Sequence, residues 1–353
     1  MHTMPDSMYV DGITNELSDI EIQGRITTAA LNAPAGLVVQ TLGLKRIVDL
    51  AVQTFEALGV HHHVSDDGCR ISAAPVRQNP EQMLRHRIGD GARILTSEGK
   101  LLDGVGAAIA DEIGYSMIRL NHCEPKVMGF GKFFTKEAVM TSFRMQWGVK
   151  QLPREDIENV AAFMIEASRN ADALGIPDRF SGSLPQLALL EHAAFTVGHH
   201  HEILTADKLY ISIRSGVKLA VSERFFSLMR SARNVVVISG REVEGRLQAK
   251  LGAGVKLTSI GLEPEWRKSE KTSVGTQYPD AFKRIMRQMA DRVGPGSLVL
   301  VGAGLLGKIF CGEAKRLGGV GIDLGSVIDA WCGLKTRGGG FPVGSELPPP
   351  GGS

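Results

Sequence analysis

The chain has 353 residues, 43% hydrophobic and 22% charged, which is ordinary globular usage and enough to bury a core without metals or disulfides. Its formal charge of +2 argues against the broad cationic footprint of a nucleic-acid or membrane-surface binder. No apolar run approaches the ~20 residues that span a bilayer, and no basic stretch followed by an apolar one opens the sequence as a signal peptide would. Four cysteines, Cys69, Cys123, Cys311 and Cys332, lie far apart without a CxxC pair. That usage fits reduced thiols, and the expected location is the cytoplasm.

Residues 1–22 are polar and acidic and are expected to be loosely ordered. Between Gly36 and Gly59, the positions Val38, Val39, Leu42, Ile47, Leu50, Ala51, Phe55 and Leu58 recur at helical spacing. This predicts one or two amphipathic helices closed by Gly59. Residues 61–80 carry turn residues and predict a short strand pair. The pattern from Met83 to Ile113 is mixed, and Ala107 to Ile113 is its clearest helical stretch. Residues 23–112 are therefore expected to form a mainly helical N-terminal region. Tyr115 to Leu120 reads as a buried strand bounded by Gly114 and Asn121. Pro153 to Leu174 predicts a helix with Ile157, Val160, Ala161, Met164, Ile165 and Ala171 on one face, ended by Gly175 and Pro177.

The C-terminal part is more regular. Asn234 to Ser239 (NVVVIS), Val255 to Ile260, Ser297 to Val301 (SLVLV) and Val320 to Asp323 predict four strands. Helices are expected around Val243 to Leu251, from Pro279 and Asp280 onward, and from Leu305 to Leu317. In the second of these, Phe282, Ile285, Met286, Met289 and Val293 face inward. Near-continuous apolar strands alternating with amphipathic helices imply an α/β fold, Rossmann-like, with a mainly parallel sheet covered by helices on both faces. The expected span of this domain is 113–336, with any ligand along the carboxyl edge of the strands. The glycine- and proline-rich residues 337–353 are expected to be disordered. No internal repeat of fixed period is visible.

The sharpest local motif is Gly302-Ala303-Gly304-Leu305-Leu306-Gly307, which matches G-x-G-x-x-G between a predicted strand and a predicted helix. There Gly302 would permit the turn, Gly304 the approach of a diphosphate, and Gly307 close packing of helix on strand. The helix N-terminus would offer N–H groups to phosphate. Asp323, about twenty residues on, stands where a ribose-binding carboxylate is expected in dinucleotide sites. Yet the fingerprint usually opens the first βαβ unit, and here only about thirty residues follow Asp323, too few for a second half-sheet.

Two segments resemble a known family. Val299 to Leu334, VLVGAGLLGKIFCGEAKRLGGVGIDLGSVIDAWCGL, is similar to the C-terminal signature of the GT-D-fold glycosyltransferases and their uncharacterised relatives. The matching positions are Gly302 to Lys308, then Ile322, Asp323, Gly325, Ser326, Asp329 and Trp331. Ser116 to Phe130, SMIRLNHCEPKVMGF, resembles the family's strand-end motif S-x-x-R-x-G-D-x-E, with Ser116, Arg119 and Glu124 in place. Asn121 stands for its glycine and His122 for its aspartate. Arg87 to Ala92, RIGDGA, copies the motif more literally but lacks its glutamate and a strand before it.

The resemblance implies transfer of a sugar from a nucleoside diphosphate sugar to a glycan, lipid-linked, polysaccharide or protein acceptor. It implies a divalent metal, manganese or magnesium, at His122 and Glu124, although imidazole is a poorer partner for magnesium than carboxylate is. Arg119, Gly302, Gly304, Gly307, Lys308 and Ser326 are then the expected donor-binding residues. Glu124, Asp323 and Asp329 are the expected catalytic ones, with Asp329 alternatively a cap of the last helix and Lys308 alternatively a solvated side chain. Homo-oligomer formation fits the N-terminal region, and no nucleic-acid partner is expected. Two other readings stay open: an NAD(P)-dependent oxidoreductase using the turn at 302–307, and a catalytically inactive nucleotide-binding protein. The histidine runs at 61–63 and 199–201, with His192 nearby, lack metal-ligand spacing and read as solvated loops.

Overall fold

The computed structural model describes residues 8–33, 35–77, 79–181, 184–262, 277–334, 341–342 and 344–349. Followed along the chain, these fall into two compact units. The first gathers residues 1–93, 121–142 and 177–206; the second gathers 94–120, 143–176 and 207–353. The expected boundary at 112/113 is therefore replaced by a chain that leaves the first unit and returns to it twice.

The chain opens with β1 (Met8–Val10) and α1 (Asp19–Asn32). Ser18 and Glu21 form a reciprocal capping box at the start of α1, so order sets in within residues 1–22. β2 (Leu37–Gln40) follows, then α2 (Lys45–Leu58), closed by Gly59 in the left-handed conformation. Val38 and Val39 thus lie in a strand, where helix was expected. Four strand residues next to a helix leave too short a run for period-two alternation to separate them from the helical pattern. β3 (His62–Val64) and β4 (Arg70–Ala73) form the expected antiparallel pair. They join β1 and β2 in a four-stranded sheet of order β1-β2-β4-β3. α3 (Pro80–Ile88) completes this stretch.

α4 (Gly99–Ala110) and β5 (Tyr115–Arg119) belong to the second unit, and α5 (Glu124–Met128) to the first. α6 (Lys136–Trp147) and α7 (Arg154–Arg169) follow. α7 stops at Asn170, short of the expected end, and residues from Ala173 form β6 (Ala173–Ile176). α8 (Pro185–His200) is the helix on which the first unit is assembled, packing against α1, α2, α3 and α5. Its last residues are His199 and His200, and His192 is fully buried in it, so the second histidine run is not a loop.

The rest of the second unit runs β7 (Leu209–Ser212), α9 (Ser215–Leu219), α10 (Glu223–Ser231), β8 (Asn234–Ser239), α11 (Glu244–Leu251) and β9 (Leu257–Gly261). A π-type turn leads into α12 (Phe282–Arg292), followed by β10 (Ser297–Gly302), α13 (Gly307–Arg316), β11 (Val320–Asp323) and α14 (Ser326–Trp331). Seven strands, each parallel to its neighbours, lie in the order β7-β6-β5-β11-β10-β8-β9. Alternate residues face opposite ways. Met117, Val235, Val237, Leu298, Leu300 and Ile322 meet α4, α10, α11 and α14 in one core. α13 covers the other face, flanked by α7 and α12. This is the doubly covered parallel sheet that the apolar strand runs predict.

The C-terminal tail departs from expectation. Residues 335–340, 343 and 350–353 lie outside the described set, but Ser345 and Leu347 are buried. The Leu347 N–H donates to the Trp331 carbonyl at 3.1 Å, and Arg246 holds the Glu346 carboxylate and the Leu347 carbonyl. One apolar side chain with backbone partners on both sides fastens a segment that composition marks as disordered. No described helix is long and apolar enough to cross a membrane.

Candidate active site

Strand order reverses between β5 and β11. From β5 the chain builds outward through β6 and β7, then places β8 to β10 on the other side and closes with β11 beside β5. In open parallel sheets this is the place where ligands bind, at the carboxyl ends of the strands. Arg119 ends β5 and Asp323 ends β11, so pairing of the two strands sets these residues side by side.

Asp323 is 2% exposed and fully engaged. Its Oδ1 accepts from Arg119 Nη2 at 3.2 Å, and its Oδ2 lies 3.1 Å from Lys308 Nζ and accepts from the Arg119 backbone N–H at 3.3 Å. Burial alone would raise the Asp323 carboxyl, but Arg119 first and Lys308 second hold it below the ordinary carboxylate range. Asp323 is therefore an anchored anion that orients two cations. It is neither free to take a proton nor exposed to a ribose.

Gly325 explains why the signature needs glycine two residues later. Its backbone, φ 51° and ψ −119°, is closed to other residues, and a Cβ there would overlap Arg119 Nη2. The guanidinium thus lies against bare backbone, and a Cβ added at Gly216 of α9 would stand 3.8 Å from its Nη1. We expect Gly325→Ala to cost at least about 1–3 kcal/mol in backbone strain and to displace Arg119. Urea denaturation of the two proteins reads the first effect.

A second anchored guanidinium stands at the end of β8. Arg241 donates from Nε to Asp329 Oδ1 at 2.7 Å, with Asp329 5% exposed, and its backbone N–H donates to Ser239 Oγ. Asp329 is thus an ion-pair partner, placed within α14 rather than at its N-cap, which is Gly325. Arg241 escapes a reading of local spacing because its partner lies 88 residues away. Ser326, half-buried, opens α14 between the two pairs in the chain.

The glycine-rich turn is committed to the protein's own groups. The Leu305 N–H, one of those a phosphate would use, donates to Gln146 Oε1 at 2.9 Å. Lys308 is 4% exposed rather than solvated, and its Nζ also donates to the Gly304 carbonyl. A Cβ at Gly302 would come within 2.8 Å of Ile328 Cδ1, so this glycine admits α14. At Gly307 the Cβ would make only ordinary contacts. Gly304 has φ 53° and serves the turn. These bonds make the turn a packing joint, which weighs against the dinucleotide reading.

The residues that follow β5 belong to the first unit. Glu124, at the start of α5, is 3% exposed, and its Oε2 accepts from the Asn121 N–H at 2.9 Å. His122 Nε2 lies 3.3 Å from Glu191 Oε1 on α8. The donor set does not fit the expected metal. Glu124 is turned to its own loop, His122 is held by a different carboxylate, and among the described residues no three His, Cys, Asp or Glu side chains are grouped to hold an ion. Arg87, in the more literal copy of the motif, ends α3, where it donates to Thr196 Oγ1.

A parallel α/β sheet covered on both faces, with anchored charges at its switch point, is a Rossmann-like architecture. The chain belongs to the GT-D fold-like domain family, whose description matches residues 96–331, and is thus a glycosyltransferase-like protein. Two solved structures are similar at 14% identity. One, described as a domain of unknown function 1792 in selenomethionine form, has a TM-score of 0.44 over 76% of this chain and 94% of its own. The other, described as a domain of unknown function 1792 with a distinct glycosyltransferase fold, has a TM-score of 0.45 over 75% and 93%. No curated protein sequence matches this chain significantly.

Proposed function

We propose that the protein transfers a sugar from a nucleoside diphosphate sugar to an acceptor hydroxyl, with the donor at the carboxyl edge of the sheet in the second unit. The observation that carries this reading is Arg119, held by a buried carboxylate at the switch point and pressed against the bare backbone of Gly325. Departure of a nucleoside diphosphate develops negative charge, and a cation fixed in advance stabilises that charge without reorganising. A guanidinium is suited to the task because its planar fork meets two phosphate oxygens at once. Arg119 Nε is buried and has no partner among the described residues. Arg241, with Ser326, is the second proposed contact to the donor. Asp323 and Asp329 act through the arginines they hold, and Lys308 and the glycine turn support Asp323. The acceptor is a glycan, a lipid-linked sugar or a protein hydroxyl.

Glu124 serves the same reaction by fixing the loop that follows β5. Replacing it with alanine leaves the half-buried Asn121 N–H without this partner, which costs about 1 kcal/mol, the low end of the range for an unsatisfied donor. We expect Glu124→Ala to fold with lowered stability and to lose turnover. The test is release of nucleoside diphosphate from UDP-glucose, UDP-N-acetylglucosamine, GDP-mannose and TDP-glucose, each offered with simple glycan acceptors. Release by the natural protein, lost in Arg119→Ala, is the expected result; release from none of them would overturn the reading.

A further inference from the structure

The C-terminal end of α8 gathers positive charge that the first unit does not neutralise. Thr196, His199 and His200 fall within one turn on the same face of this helix. From α3, Arg87 reaches that face and donates from Nη2 to Thr196 Oγ1 at 3.1 Å. Its guanidinium lies against Gly59, where a Cβ would come within 2.9 Å of Nη2. Lys132, which follows α5, has its Nζ 3.3 Å from His200 Nδ1. An ammonium can only donate, so Nδ1 accepts and His200 carries its proton on Nε2. No described residue accepts that proton.

Opposite charge is missing here. Arg87 is half-buried, its Nε is buried without a partner, and it makes no ion pair among the described residues. Burial first, and the Arg77 charge second, bring its pKa down from 12.5 to about 10, so it stays cationic at neutral pH. Burial first, then Arg87, His86 and His200, lower the His199 imidazole below its ordinary value. His200 is lowered by burial and then by Lys132, against the weaker pull of Glu56 on α2. The neighbouring carboxylates are engaged elsewhere: Glu191 with Ser181 and His122, and Glu81 with Arg85.

A half-buried guanidinium ordinarily has a carboxylate beside it, because unpaired charge is costly to take out of water. The dipole of α8 favours cations in its last turn, which accounts for His199 and His200. It does not account for Arg87, which belongs to another helix. The groups on offer are all N–H donors, and an anion from solution would complete the set. A carboxylate brings two oxygens to such donors, whereas a phosphate brings at least three, two of them matched to the planar fork of arginine.

We propose that the first unit binds a soluble phosphate-bearing molecule at Arg87, Lys132, His199 and His200, apart from the sugar transfer assigned to the second unit. Thr196 and the bare backbone of Gly59 hold the guanidinium in place, and Lys132 and the two imidazoles close around the remaining oxygens. Arg87 is half-buried while the other three are exposed. A single phosphate group can therefore meet all four, and a flat anionic lipid surface meets only the exposed three.

The test is histidine NMR on the full chain, with the two signals assigned from His199→Gln and His200→Gln. Inorganic phosphate, added at fixed pH and ionic strength, is expected to shift both signals to saturation, and chloride is not. Arg87→Gln and Lys132→Ala should each weaken that titration by about 10–100-fold, the range for a hydrogen bond to a charged group. Lys132 is exposed, so its replacement spares the fold and decides the matter if Arg87→Gln does not fold. Arg119→Ala should titrate like the natural protein, because Arg119 belongs to the second unit. Shifts that do not saturate, or that chloride reproduces, overturn the proposal, as does unchanged affinity in Lys132→Ala. Signals that move only with vesicles of phosphatidic acid in phosphatidylcholine overturn it in favour of a membrane contact.

Discussion

Replacing Arg119 with alanine should remove donor binding and cost the fold about 3 kcal/mol, toward the low end of the range for breaking a buried ion pair. The cost arises at Asp323, which is 2% exposed and would keep only Lys308 for its charge. Asp323→Asn separates the two effects. It removes the buried charge but leaves Arg119 without its anchor, so donor affinity should fall while the fold suffers less than in Asp323→Ala. Arg119→Lys should keep part of the stability and little of the affinity, because a point charge lacks the fork. Urea denaturation reads stability, and titration with a nucleoside diphosphate reads affinity. Intact affinity in Arg119→Ala would contradict the assignment of this residue to the donor.

Acid should destabilise the first unit well before carboxylates begin to titrate. His192 is buried in α8, stacked on Phe180 with ring centroids 3.7 Å apart, and neither ring nitrogen has a partner among the described residues. Burial first, and the Arg87 charge after it, lower its pKa from 6.5 to about 3 against the opposing pull of Glu191. The folded chain therefore holds His192 neutral where the unfolded chain protonates it. Its contribution is complete above the unfolded value near 6.5 and is lost as pH falls toward 3, at up to about 1.4 kcal/mol per pH unit. Glu191 and Asp323, whose folded values are also depressed, add to the loss only at lower pH, in the carboxylate range. Melting curves between pH 7 and 5 check this, since His192→Phe should flatten the slope there. A slope unchanged in His192→Phe would place the acid sensitivity elsewhere.

Much of the second unit is legible because its signals are local. NVVVIS, SLVLV and the strand ending at Asp323 are apolar runs bounded by turn residues, and each becomes a buried parallel strand. The partners that define the site are not local. Arg241 meets Asp329 across 88 residues, Gln146 meets Leu305 across 159, and Arg119 meets Asp323 across 204. No spacing rule carries such pairs, so Arg241 and Gln146 could not be found, and Asp323 and Lys308 were expected to face a ligand when they face each other. The glycine pattern at 302–307 illustrates the same limit: a turn of this form serves phosphate or packing equally well until its N–H partners are known. The first unit is harder still. Its three chain segments are brought together by α8, and β2 hides inside a run that reads as helix.

The most direct measurement of the central claim is the melting temperature of the purified protein against UDP, GDP, TDP, CMP, NAD and NADP, each with and without manganese. A ligand that binds only the folded state at 100 times its Kd adds about 2.7 kcal/mol of stability. The account predicts that one nucleoside diphosphate raises Tm, to the same extent with or without manganese, and that the rise disappears in Arg119→Ala. A rise with NAD or NADP alone would contradict it and turn the site at β5 and β11 over to oxidoreductase chemistry.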